Sequence, residues 1–158
     1  HRDLKPANIL LNSAGFVKLS DFGISKELGH TQANASTQCG TIAYMAPERI
    51  RGEDYSFPSD VWSFGLIAIE MSCGGYPYPH SANYFDLVKN IVDGALPTEN
   101  VQVQDFLAPD MLDLVHASLN KQPALRPDVL ALLRHPFTAR YQAAPVDLRQ
   151  YIHDLRSG

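Results

Sequence analysis

A chain of 158 residues is long enough for one globular domain with a substantial core, and 45% hydrophobic and 19% charged residues are typical of such a domain. The formal net charge of −4 gives no reason to expect nucleic acid or an anionic membrane as a partner. The longest apolar stretch, residues 61–73, is too short to span a bilayer and contains Glu70.

A β-hairpin is predicted near the start of the chain. Residues 9–11 (Ile-Leu-Leu) and 16–19 (Phe-Val-Lys-Leu) are short apolar runs, joined by the turn-forming sequence Asn-Ser-Ala-Gly. Residues 24–40 are polar, rich in turn-forming residues and without periodicity, so we expect a loop there.

From residue 59 onward the pattern predicts helices. Ser59 is expected to cap a helix over residues 60–72, and because this helix is apolar on every side we expect it to be buried. Apolar stripes at helical spacing predict four further helices, over residues 84–92, 111–119, 127–133 and 147–155, the third of them ending before Pro136. The fold class expected is therefore mainly α, built around one central buried helix, with a small hairpin at its start.

Three short motifs follow one another in a fixed order. Residues 1–8 read His-Arg-Asp-Leu-Lys-Pro-Ala-Asn, residues 21–23 read Asp-Phe-Gly, and residues 46–48 read Ala-Pro-Glu. Each motif alone could occur by chance, but all three in this order, with Asn8 five positions after Asp3, are much harder to obtain by accident. In these motifs the sequence resembles a protein kinase.

The resemblance implies transfer of a phosphoryl group from ATP, a reaction in which the protein mainly positions the reactants and neutralises charge. Asp3 would accept the proton of the substrate hydroxyl, and Lys5 would direct its positive charge at the transferring phosphoryl group. Asn8 and Asp21 would present oxygens to Mg²⁺, a cation that favours such ligands, so that Lys5, Asn8 and Asp21 together hold the nucleotide and its metal. The hairpin accounts for the spacing, because two short strands can bring Asn8 and Asp21 to one site.

Other residues resemble the scaffold of the kinase C-terminal lobe, an α+β unit. Asp60 opens the sequence Asp-Val-Trp-Ser-Phe-Gly of the central helix and would hold the backbone of the catalytic loop, while Arg126 would pair with Glu48. The lysine at position 5 resembles the one that serine/threonine kinases have there, and the threonine at position 41 also resembles that class. The resemblance implies a lobe over residues 1–137, divided into a catalytic loop (1–8), an activation segment (21–48) and a helical core (59–137), followed by an extension over 138–158.

The parts of a kinase that hold ATP from above, a glycine-rich loop and a lysine with its glutamate partner, would precede residue 1. We therefore expect the chain to be a piece of an enzyme, without the N-terminal lobe. On its own this piece is expected to transfer no phosphate.

Residues 40–50 (Gly-Thr-Ile-Ala-Tyr-Met-Ala-Pro-Glu-Arg-Ile) and residues 69–79 are similar to the MAP kinase kinase family. The family implies a cytoplasmic, dual-specificity enzyme that phosphorylates Thr and Tyr in a MAP kinase activation loop and that is itself a target of an upstream MAP kinase kinase kinase. Two alternatives stay open, another serine/threonine kinase of the STE group and a kinase-like scaffold that only binds. An intact metal and catalytic constellation argues against the scaffold.

The loop between Asp21 and Glu48 points to regulation by phosphorylation. Arg2 would supply a fixed cation for a loop phosphate, which carries close to two negative charges and can order a segment. The expected sites, in order, are Thr37, Thr31 and Ser36. For Thr31 and Ser36, solvated loop hydroxyls are at least as good an explanation.

The last predicted helix, residues 147–155, resembles the region where MAP kinase kinases dock their upstream kinase. Its apolar stripe fits equally well with packing on the lobe's own surface, because exposed and buried stripes look alike in sequence. Both interpretations stay open.

Overall fold

A computed structural model describes residues 1–22, 42–78 and 83–157 of the chain. Two short strands, β1 (Ile9–Leu11) and β2 (Val17–Leu19), pair antiparallel with Ile9 opposite Leu19. The helices are α1 (Pro47–Ile50), α2 (Pro58–Cys73), α3 (Tyr84–Asp93), α4 (Val101–Phe106), α5 (Pro109–Ser118), α6 (Val129–Arg134), α7 (Pro136–Ala143) and α8 (Leu148–Ser157). Short 3₁₀ turns cover Pro6–Asn8, Pro97–Glu99 and Pro123–Leu125. The prediction of a mostly helical fold with a small hairpin is confirmed.

Helix α2 is the centre of the core. Trp62, Leu66 and Ile69 are fully buried, and α5 packs alongside them. Gly65 permits this close approach, because a Cβ at that position would lie 2.9 Å from the side chain of Leu119. A helix that is apolar on every side is thus enclosed by its neighbours, as its sequence predicts.

The start of α2 differs from the prediction. The helix begins at Pro58, whose missing N–H is no loss in the first turn, and Ser59 lies inside the helix rather than capping it. The hydroxyl of Ser59 instead donates a hydrogen bond to Glu48 at 2.7 Å. A serine beside an apolar helix resembles a cap in sequence, but here its partner is a distant carboxylate.

Three helices, α1, α4 and α7, were not expected from the sequence. Helix α1 has only four residues and begins at Pro47, and proline suits the first position of a helix. Helix α4 is only six residues long, too short to display a helical apolar period, and is capped by the side chain of Asn100. Helix α7 begins at Pro136; this proline was expected only to end the preceding helix, but proline also suits the first position of a helix. The cap of α6 is Asp128, so this helix starts two residues later than predicted.

The final helix, α8, packs in part on the lobe itself. Ile152 is buried, whereas Tyr151 and Leu155 remain exposed. At its start, the backbone of Arg149 lies against the hairpin turn, 3.4 Å from where a Cβ on Gly15 would be. No helix in the ranges 1–22, 42–78 and 83–157 has the length and apolar character needed to cross a membrane.

Candidate active site

The base of the hairpin brings two separated sequence segments together. The N–H of Ser20 donates to the carbonyl of Asn8 at 2.9 Å, which continues the strand register by one step, so Asn8 and Asp21 lie at the same end of the hairpin. Asn8 is almost fully buried, and its Nδ2 donates to the carbonyl oxygen of Asp3 at 2.8 Å. Within residues 1–22, 42–78 and 83–157 its Oδ1 makes no hydrogen bond and is left as an acceptor.

Asp3 and Lys5 form an ion pair at this same end. Nζ of Lys5 lies 2.9 Å from Oδ2 of Asp3, and both side chains are partly accessible to solvent, 26% and 20% respectively. The Pro6–Asn8 turn follows directly, and its last N–H donates to the carbonyl of Lys5 at 3.0 Å. A carboxylate able to accept a proton therefore stands beside a cation at an accessible surface.

His1 connects the two segments. Its Nε2 lies 2.7 Å from the carbonyl oxygen of Ser20, which can only accept, so Nε2 carries the proton. Nδ1 is then an acceptor and faces the N–H of Asp3 at 3.4 Å. The imidazole also packs against Phe22, with ring centroids 4.7 Å apart. The loop that carries Asp3 is thus tied to the residues on both sides of Asp21.

Asp60, in the first turn of α2, binds the backbone of the loop that carries Asp3. Its two carboxylate oxygens accept from the backbone nitrogens of His1 at 2.6 Å and Arg2 at 2.9 Å. The loop is thus fixed to α2, the helix with the most buried residues in the core.

The donor set at the hairpin base suits Mg²⁺. Oδ1 of Asn8 and the exposed carboxylate of Asp21 are hard oxygen ligands, and Mg²⁺ is commonly held by one or two such groups together with substrate phosphates. Asp21 has a φ of 56°, a left-handed conformation that is uncommon for a residue with a side chain. Such strained positions cluster at functional sites.

A buried ion pair holds helix α1 in place. Arg126 contacts Glu48 through two parallel hydrogen bonds of 2.8 Å, and it also donates to the carbonyl oxygens of Asn120 and Pro58. Burial by itself raises the pKa of Glu48, but the hydrogen bonds from Arg126 and Ser59 outweigh it and hold that pKa below its ordinary value.

Comparison with known protein families shows which family the chain with this site belongs to. Residues 1–138 match the family model described as "Protein kinase domain". The chain belongs to the protein kinase family.

Among curated relatives, the kinase chain is similar to several MAP kinase kinases. It is 40% identical over 155 residues to "Mitogen-activated protein kinase kinase 3" of Arabidopsis thaliana, covering 98% of the chain and 29% of that protein. It is 42% identical to "Protein kinase wis1" of Schizosaccharomyces pombe (96% and 26%) and 37% identical to "Dual specificity mitogen-activated protein kinase kinase mek-1" of Caenorhabditis elegans (98% and 44%). The chain therefore spans less than half the length of these relatives.

The segment before α1 is fastened to α2, and to Tyr76 just after it, by side chains that sequence reasoning missed. Tyr44 donates to Glu70 at 2.5 Å, Ser63 donates to the carbonyl of Tyr44 at 2.7 Å, and Tyr76 donates to the carbonyl of Ala43. Burial raises the pKa of both tyrosine hydroxyls, and the carboxylate of Glu70 raises that of Tyr44 further. No motif signals these contacts: two of them join a side chain to a distant backbone carbonyl, and the third joins two side chains 26 positions apart.

Of the remaining predicted site residues, the structure describes Arg2 but not the predicted phosphorylation sites or Thr41. Arg2 has an exposed side chain, a φ of 69° and a carbonyl that accepts from Arg49 at 2.5 Å. The candidate phosphorylation sites and the specificity-linked threonine lie outside the described residues: Thr31, Ser36, Thr37 and Thr41.

Proposed function

We propose that the full-length gene product is a dual-specificity MAP kinase kinase, which transfers the γ-phosphate of ATP to Thr and Tyr in the activation loop of a MAP kinase. The observation that carries the chemistry is the convergence of Asp3, Lys5 and Asn8 with Asp21 at one end of the hairpin. Membership of the protein kinase family and about 40% identity to MAP kinase kinases support the assignment.

In this proposal the chain's own residues act mainly by positioning. Asp3 orients the substrate hydroxyl and accepts its proton, and Lys5, 2.9 Å away, offers positive charge to the transferring group. Asn8 keeps Asp3 in place by donating to its backbone carbonyl. His1 and Asp60 fix the loop, so that little reorganisation is needed when the reaction occurs.

ATP and Mg²⁺ are the cofactors that this site fits. Oδ1 of Asn8 and the carboxylate of Asp21 would hold the metal, with phosphate oxygens as further ligands. When bound, the metal supplies positive charge that neutralises the phosphoryl oxygens during transfer.

MAP kinases are the proposed substrates because several relatives carry the name MAP kinase kinase. An upstream MAP kinase kinase kinase is the proposed activator, acting on Thr37 with Arg2 as the phosphate-pairing cation. The exposed Tyr151 and Leu155 of α8 are available for its docking. The cytoplasm is the proposed location.

The test measures ATP-dependent phosphate transfer by the full-length protein to a catalytically inactive MAP kinase. Asp21→Asn should abolish transfer, because the metal loses a charged ligand, and Asp54→Asn, the same change on an exposed loop, should leave the rate unchanged. Equal rates for wild type and Asp21→Asn would overturn the assignment.

No glycine-rich phosphate loop or Val-Ala-x-Lys sequence occurs within residues 1–158, so we infer that these residues expressed alone transfer no phosphate. Measurable activity of that piece would refute this part.

A further inference from the structure

The peptide bond between Arg2 and Asp3 is contacted by an arginine from outside the catalytic loop. Nη1 of Arg49, in α1, donates to the carbonyl oxygen of Arg2 at 2.5 Å. Arg49 is separated from Arg2 by 47 positions in sequence and lies directly after the Glu48 of the buried ion pair. Helix α1, at the end of the activation segment, therefore touches the backbone immediately before the proposed catalytic base.

This peptide group is held at both ends. Its carbonyl accepts from Arg49, and its N–H, which belongs to Asp3, faces Nδ1 of His1 at 3.4 Å. One residue earlier, the N–H of Arg2 is bound by Asp60 at 2.9 Å. The backbone leading into Asp3 is thus held by two helices, α1 through Arg49 and α2 through Asp60, and by His1 of the loop itself.

Arg2 needs such support, because its φ of 69° is in the left-handed region. A residue with a Cβ pays a conformational penalty there, and the conformation persists only when the surroundings hold it. A charge-assisted hydrogen bond to the Arg2 carbonyl is a direct means of holding it.

Arg49 is itself fixed in position. Its guanidinium stacks on the ring of Tyr55, 4.7 Å from the ring centroid. Its neighbour Glu48 is anchored by Arg126. The donor therefore reaches the Arg2 carbonyl only while α1 is docked in its observed place.

We propose that Arg49 is a positioning residue for phosphoryl transfer: it orients Asp3 through the Arg2 carbonyl and makes the geometry of the catalytic loop depend on the docked state of α1. This inference rests on the proposed kinase function and adds a residue to it. It concerns the chemical step rather than substrate binding.

The experiment compares Arg49→Ala, Arg49→Lys and the control Arg51→Ala in the full-length protein. Arg51 lies two residues further along, is exposed, and donates to Val92 at 3.3 Å. Single-turnover phosphorylation of an inactive MAP kinase should slow about tenfold to a hundredfold in Arg49→Ala, the scale of losing one hydrogen bond from a charged group. KM values for ATP and for the MAP kinase should stay close to wild type. Arg49→Lys should recover part of the rate, and Arg51→Ala should match wild type.

A purely structural role for Arg49 predicts a different pattern. Arg49→Ala would then lower the melting temperature and the fraction of active protein while leaving the single-turnover rate of the folded enzyme at the wild-type value, and that result overturns the inference. If Arg49→Ala does not fold, Arg49→Lys decides by the same two measurements. An inactive wild type contradicts the proposed kinase function instead, so the two failures are distinguishable.

Discussion

Glu48 and Arg126 lie 78 positions apart in sequence and meet in a buried, bidentate ion pair with both N–O distances at 2.8 Å. The guanidinium also lies over the ring of Trp62, 5.2 Å from its centroid, so the pair is packed against the central helix. Every charged atom of the pair has a hydrogen-bonding partner, and these bonds offset the desolvation cost of burying two charges. It joins helix α1 to the residue that follows the Pro123–Leu125 turn.

Removing one partner of this pair should destabilise the fold strongly. Arg126→Met leaves the carboxylate of Glu48 buried and unpaired, which costs about 3–5 kcal/mol, and the double variant Glu48→Leu/Arg126→Met should recover much of that loss. Urea unfolding of the purified protein, followed by circular dichroism, measures both. Arg134→Met, the same change at an exposed position, serves as the control. A loss for Arg126→Met no larger than that of the control would contradict the account.

The same pair should make stability depend on acidity. The folded-state pKa of Glu48 lies below the ordinary value of 4.5, because hydrogen bonds from Arg126 and Ser59 outweigh the raising effect of burial. A depressed pKa contributes stability that is present above pH 4.5 and is lost as the pH falls through the folded-state value. Between about pH 6 and about pH 3, wild type should therefore lose more unfolding free energy than Glu48→Gln. Parallel pH profiles for the two proteins would argue against the pair as the source.

In alkali, one buried and two partly buried tyrosines should make stability depend on pH in the opposite direction. Burial raises the pKa of Tyr44, Tyr76 and Tyr78 above the ordinary value of 10.0. The unfolded chain releases these protons first, so their contribution to stability is fully present below pH 10.0 and declines as the pH rises above it. Tyrosinate absorbance at about pH 11 should show fewer ionised tyrosines in the native protein than in urea. Equal absorbance in a protein that is still folded would refute this.

Gly15 in the hairpin turn should not tolerate a side chain. Its φ is +82°, and a Cβ would approach Arg149 of α8 to within 3.3 Å of Cγ and 3.4 Å of the backbone nitrogen. Gly74 has a similar φ of +73° but open space around it, so Gly74→Ala should carry the conformational penalty alone, about 1–2 kcal/mol. Gly15→Ala should cost more, because α8 must also shift. Equal losses in thermal or urea unfolding would show that α8 does not pack on the turn.

Sequence reasoning reached the hairpin, the central helix and the residues at the hairpin base, because each has a local signal. The hairpin has two short apolar runs around a turn, Ile9–Leu11 and Val17–Leu19. The central helix, Pro58–Cys73, has apolar side chains on all of its sides. The contacts of Arg49 with Arg2 and of Tyr76 with Ala43 could not be found in this way. They join a side chain to a distant carbonyl, and any residue supplies a carbonyl, so the sequence contains no pattern for them.

The central claim is that Asp3 is the base of a dual-specificity kinase. The most direct measurement is site-resolved mass spectrometry of a catalytically inactive MAP kinase after incubation with ATP and either the full-length protein or its Asp3→Asn variant. The account predicts phosphate on both Thr and Tyr of the activation loop with wild type, and loss of both with Asp3→Asn, since the amide cannot accept the hydroxyl proton. Phosphate on only one of the two residues, or unchanged labelling by Asp3→Asn, would contradict it.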